Sequence, residues 1–187
     1  QSVTNSKPLD NTKRFSLSFI QKEYEKMKLI EQDILTVEDG IILHQVNVHG
    51  VMGGGIAYYI AQKWPHVCKE YEDFCKEVKD PFGKVFFSRA ENKNVLELFI
   101  ANCFSQMERE LNGTLTDYNA VRKCFEFVKP YGNYQPIHIP YQYGCGIAGG
   151  DWNIVVKIIE DVLPFATIYI LPSLAEKMRM EGKEIIH

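Results

Sequence analysis

The sequence predicts an α/β fold: a mixed, mostly parallel sheet between helices, with a ligand cleft at the carboxyl ends of the strands. Three observations predict it. Strand and helix signals alternate along the 187 residues. Two glycine-rich loops each lie between a strand and a helix. No internal repeat or low-complexity linker interrupts the pattern. The length suits one domain, and a hydrophobic fraction of 45% is enough for its core.

Residues 1–26 read as an N-terminal extension, polar except for Phe15-Ser-Leu-Ser-Phe-Ile20, whose alternation suits an edge strand or a docking arm. The domain proper spans 27–187. Met27 to Ile30 is a short strand leading to Asp33, and Ile41-Ile-Leu43 is a buried one by its continuous apolar run. A helix follows from Gly55 to Lys63. Pro65 opens another, where proline is tolerated at the first position, with Val67, Tyr71, Phe74, Cys75 and Val78 on one face. After the turn Asp80-Pro-Phe-Gly83 come strands at Lys84–Ser88 and Leu96–Ala101. Thr116 is the expected cap of a helix striped by Tyr118, Val121, Phe125 and Val128, which Pro130 and Gly132 end. Ile137–Ile139 is a strand. Trp152, Val155, Val156, Ile159 and Leu163 mark a helix stopped by Pro164, and Ala166–Leu171 is the last strand. Ser173 and Glu176 have capping-box spacing for a final helix.

The first loop, His44-Gln-Val-Asn-Val-His-Gly-Val-Met-Gly-Gly-Gly-Ile-Ala57, carries the main chemical signal. Its glycines allow close backbone approach, and its N–H groups join those opening the next helix. That arrangement suits a phosphate or diphosphate. It is neither a Walker A loop nor a GxGxxG fingerprint. The second loop, Tyr141-Gln-Tyr-Gly-Cys-Gly-Ile-Ala-Gly-Gly-Asp-Trp152, would form the facing wall. Cys145 lies between glycines without an evident charge partner, which favours a small residue over a nucleophile. Asp33 could accept a hydrogen bond from an exocyclic amine, Asn47 suits ribose hydroxyls, and His44 is a candidate acid or base or a buried structural histidine.

A net charge of −3 excludes a global basic field for nucleic acid, so local groups must hold an anion. Five cysteines without CxxC spacing, and no recognisable secretory signal, point to reduced thiols and a cytoplasmic protein. No apolar run approaches a membrane span, and no cluster has metal-ligand spacing. The expectation is a monomer without cofactor or metal.

Gln32-Asp-Ile34, Asn47, Gly53-Gly-Gly-Ile-Ala57 and Gly144-Cys-Gly-Ile-Ala-Gly-Gly150 together resemble the macro domain family, in the right order over roughly Met27 to Leu171. The resemblance implies a mixed sheet between helices that binds ADP-ribose. The stretch from His44 through Trp64-Pro65 to Cys75 is similar to the yeast-type ADP-ribose 1″-phosphate phosphatase branch. It implies His44 as a catalytic residue and Asn47 on the distal ribose. Adenine would be recognised by Asp33 and Ile34. The diphosphate would be held by Gly53, Gly54, Gly55 and Ile56, with Gly144, Cys145, Gly146, Ile147 and Ala148 wrapping the phosphates and distal ribose. The terminal ADP-ribose glycohydrolase branch has an aspartate where Ala148 stands, so the matching acid here would be Asp151. The expected activity is a phosphatase acting on ADP-ribose 1″-phosphate. The alternatives are a hydrolase removing ADP-ribose from protein carboxylates or nucleic-acid bases, and a reader of ADP-ribosylated macromolecules.

Overall fold

The computed structural model describes residues 26–90, 97–111 and 113–187. The expected edge strand or arm at Phe15–Ile20 lies outside them. Strands β1 (Lys28–Glu31), β2 (Gly40–Val46), β3 (Val85–Ala90), β4 (Leu98–Phe104), β7 (Ile137–Pro140) and β8 (Thr167–Ile170) form one sheet. Its order is β1-β8-β7-β2-β4-β3. All neighbours are parallel except β3, which runs antiparallel to β4. The predicted mixed, mostly parallel sheet is therefore the observed one.

Helices α1 (Gly55–Lys63) and α2 (Pro65–Glu77) cover one face of the sheet. Helices α3 (Tyr118–Val128), α4 (Trp152–Val162) and α5 (Pro172–Met180) cover the other. Strand β2 explains why the sheet needs both layers. Ile41 and Leu43 enter the core with Val121, Phe125 and Val155, whereas Ile42 and Val46 enter the clusters of Ile60 and Tyr71. A strand buried on both faces loses the polar alternation of a half-exposed one, hence its unbroken apolar run.

Two local expectations are corrected, both of them helix caps. Asp117, not Thr116, caps α3, its carboxylate accepting from Ala120 N at 2.8 Å. Thr116 instead ends a two-stranded ribbon of β5 (Gln106–Leu111) and β6 (Thr114–Thr116) that the helix and strand periodicities do not reveal. Its signal is the Asn112-Gly113 pair, the commonest hairpin turn chemistry. Ser173 lies inside α5, which Pro172 opens after Leu171 without a side-chain cap. A short 3-10 turn, Ile34–Thr36, also follows β1, capped by Asp33.

Candidate functional site

Parallel strands end together, so the loops after β2 and β7, neighbours in the sheet, face each other across its carboxyl edge. Between them lies a cleft of about 460 Å³. Asn47, Gly53, Gly54, Gly55 and Ile56 form one wall; Gly144, Gly146, Ile147 and Ala148 form the other.

The first wall is held from behind. The Asn47 amide donates to Val51 O at 2.8 Å, and its Oδ1 accepts from His49 N at 2.9 Å. The hydroxyl of Tyr71, reaching out of the core from α2, is 2.9 Å from the same Oδ1 and 2.7 Å from the Asn47 carbonyl. Burial pushes this phenol well above its ordinary pKa, so it stays a donor. Gly50 and Gly55 take φ of 75° and 57°, a region that strains side-chain-bearing residues. The cap of α1 is Gly54, which offers no side-chain oxygen. The N–H groups of Gly55, Ile56 and Ala57 therefore have no partner among the described residues, and all three residues line the cleft.

The second wall rests on the ribbon. Ala148 O accepts from Leu115 N at 2.7 Å and from Thr114 Oγ1 at 2.8 Å. Thr116 Oγ1 donates to Gly144 O at 2.6 Å and accepts from Gln45 Nε2 at 3.0 Å. Ser105 Oγ lies 3.1 Å from Gln45 Oε1 and 3.0 Å from Tyr143 OH, closing a polar network beneath the loop. A Cβ on Gly144 would stand 2.7 Å from Gln45 Oε1, so the network leaves room for glycine alone. Gln45, Ser105, Thr114 and Thr116 were not expected at the site; in the sequence only the Asn112-Gly113 pair hints at them. Across the cleft Ile147, 80% exposed, overhangs the first wall. A Cβ on Gly54 would lie 2.5 Å from its Cδ1.

Five of the expected site residues stand elsewhere. His44 is wholly buried beneath the first loop, facing the α1–α2 layer because strand alternation gives it the same face as Ile42 and Val46. Its Nε2 lies 2.7 Å from Asn102 Oδ1, and Asn102 in turn donates to Phe86 O at 3.1 Å. Burial lowers the His44 pKa to about 4, partly offset by the Asn102 bond, so the ring is neutral at pH 7. Asp151 caps α4, accepting from Asn153 N at 2.9 Å, and is not part of the cleft wall. Cys145 turns away from the cleft toward the core, its Sγ 3.2 Å from Tyr143 O. Burial, with the Asp151 charge, pushes its thiol up to about 12, which leaves no thiolate for attack. Asp33 and Ile34 sit at the end of β1, beyond β8, outside the cleft proper; Asp33 Oδ1 is bonded to Leu35 N at 2.9 Å and Ile34 is buried. Among the described residues, no Asp, Glu, Lys, Arg or His lines the cleft, and no cluster could hold a metal ion. No helix there is long and apolar enough to cross a membrane.

This sheet order, its two helix layers and the paired glycine loops make up the macro-domain fold. The macrodomain of Thermus aquaticus DarG superposes with a TM-score of 0.61 at 18% identity, covering 78% of this chain and 97% of that one. A protein of unknown function from Bacteroides thetaiotaomicron superposes at 0.68 with 28% identity, over 80% of this chain and 100% of that one. Thermosipho africanus DarTG, solved in complex with ADP-ribose, gives 0.57 at 19% identity over 78% of this chain and 43% of that one. No family model matches the sequence. Within this fold the chain is similar to the yeast-type branch. It is 29% identical over 151 residues to the ADP-ribose 1″-phosphate phosphatase of Candida albicans, covering 74% of this chain and 92% of that protein. It is also 24% identical over 148 residues to a DNA ADP-ribosyl transferase–DNA ADP-ribosyl glycohydrolase fusion protein of Thermosipho africanus, covering 70% of this chain and 37% of that one.

Proposed function

We propose that this chain binds ADP-ribose across the strand ends and hydrolyses ADP-ribose 1″-phosphate to ADP-ribose and inorganic phosphate. The observation that carries the binding is the pair of facing walls with, among the described residues, unpaired amides and no charged side chain. A diphosphate fits such a cradle, because N–H dipoles and the N-terminus of α1 balance its charge without ion pairing. The yeast-type relatives, matched over nearly their whole length, supply the reaction. In this reading Gly53–Ile56 and Gly144–Ala148 hold the diphosphate. Asn47 lies toward the distal ribose, and Asp33 with Ile34 receives adenine further along the sheet edge.

Water attacks phosphorus, the bond to the ribose O1″ breaks, and the sugar oxygen leaves with a proton. The walls contribute position and amide dipoles aimed at the developing charge. His44 and Asp151 act through structure: one ties β2 to β4, the other starts α4. A second reading, a reader without chemistry, is favoured by the lack of an imidazole or carboxylate in the walls among the described residues. Calorimetry with ADP-ribose and phosphate release from ADP-ribose 1″-phosphate decide between them. Binding with phosphate release supports the phosphatase. Binding without it, and without action on ADP-ribosylated DNA or protein, leaves the reader. No heat at millimolar ADP-ribose refutes both.

A further inference from the structure

Strand β7 leaves the sheet through a tight turn, in which Tyr143 N donates to Pro140 O at 3.1 Å. The third residue of that turn is Gln142, with φ of 59°, the one non-glycine in the left-handed region among the described residues. Turns with positive φ at this position select glycine or asparagine, because a Cβ there crowds the following carbonyl. Strain of this kind persists where the side chain has work to do. Gln142 is exposed and lines the cleft.

The other amides of the cleft clarify the choice. Gln45 is bound to Thr116 and Ser105, and Asn47 to Val51, His49 and Tyr71; Gln106, the remaining one, belongs to β5 and not to a turn with positive φ. The Gln142 amide makes no hydrogen bond among the described residues. It is thus free to meet a ligand, offering a donor and an acceptor to adjacent hydroxyls.

The sheet order says which hydroxyls. From the edge inward run β1 with Asp33 at its end, then β8, then β7 with Gln142, then β2 with the first glycine loop. Strands lie ~4.8 Å apart, so Gln142 stands about 10 Å from the end of β1 and beside the diphosphate walls. We propose that Gln142 is a specificity-determining residue that hydrogen-bonds the 2′- and 3′-hydroxyls of the adenosine ribose, between adenine and diphosphate. This rests on the ADP-ribose reading above.

The test uses the full chain and three probes: ADP, 2′,3′-dideoxy-ADP and ribose 5-phosphate, with ADP-ribose as reference. Wild type should prefer ADP over the dideoxy probe. Gln142→Gly should raise the thermal midpoint, since it relieves the turn, yet weaken ADP and ADP-ribose about tenfold. It should erase the preference over the dideoxy probe and leave ribose 5-phosphate unchanged. Gln142→Asn, which suits the turn but reaches less far, should behave like the glycine variant. A merely structural role would move all ligands together, and that result overturns the proposal. So does an unchanged ribose preference in Gln142→Gly. A wild type that binds no ADP-ribose overturns the underlying function instead.

Discussion

Lowering the pH from 7.5 to 5.0 should destabilise this protein through a group outside the cleft. The His44 ring is wholly buried. Asn102 spends its Nδ2 on Phe86 O, so its Oδ1 faces the imidazole and Nε2 carries the ring proton. Nδ1 is buried and has no partner among the described residues, so a second proton would find no acceptor there. The pKa accordingly falls from 6.5 to about 4. The unfolded chain binds this proton more readily than the folded one. The stability is therefore fully present above pH 6.5 and is lost as the pH falls through the folded value. At pH 5.0 the ring is nearly all protonated when unfolded and about one-tenth protonated when folded, a loss of about 2 kcal/mol that levels off at roughly 3 kcal/mol below pH 4. Urea unfolding at pH 7.5, 6.0 and 5.0 would show it as a midpoint shift of about 1 M. His138 is depressed in the same direction by its own burial, so the comparison must be with His44→Gln, which retains His138. The variant should lose about 2 kcal/mol less than wild type between pH 7.5 and 5.0. Parallel losses in the two proteins would refute the burial argument.

Other perturbations separate fold from site. Gly54→Val should leave the unfolding midpoint nearly unchanged, since φ there is −154° and the clash falls on the movable end of Ile147, while ADP-ribose binding by calorimetry is lost. Tyr71→Phe removes the hydroxyl that holds Asn47. It should cost about 1 kcal/mol in urea unfolding and weaken ADP-ribose several-fold. Asp33→Ala should weaken ADP-ribose more than ribose 5-phosphate, besides the ~1 kcal/mol expected for a lost cap. Equal loss for the two ligands would assign Asp33 to the fold alone. Deleting residues 1–26 should leave ADP-ribose affinity nearly unchanged, because β1 starts at the end of the sheet opposite the cleft.

The sheet and helix layers are legible in the sequence because each core element repeats its own period: the Trp152 to Leu163 stripe can only be a helix, and Ile41–Leu43 only a doubly buried strand. The glycine walls are legible for the converse reason, that glycine clusters weaken a chain unless the backbone needs them. The side that His44 faces is not. An apolar run on both faces carries no alternation, so nothing in the sequence separates the residues turned toward the cleft from those turned under it. The ribbon of β5 and β6 is hidden likewise: its support of the second wall depends on Thr116 meeting Gly144, 28 positions away.

A cleft whose described walls carry no ionisable group other than tyrosine has little to titrate near neutrality. Its grip on a diphosphate should then be almost independent of pH between 6 and 9, and should weaken with salt far less than a lysine- or arginine-built site. A terminal phosphate monoester loses its second proton near pH 6, so proton linkage in the binding of a 1″-phosphate would belong to the ligand. Across that range the protein would discriminate by shape and amide direction, and the charge state of the nucleotide would be the only chemical variable the complex feels.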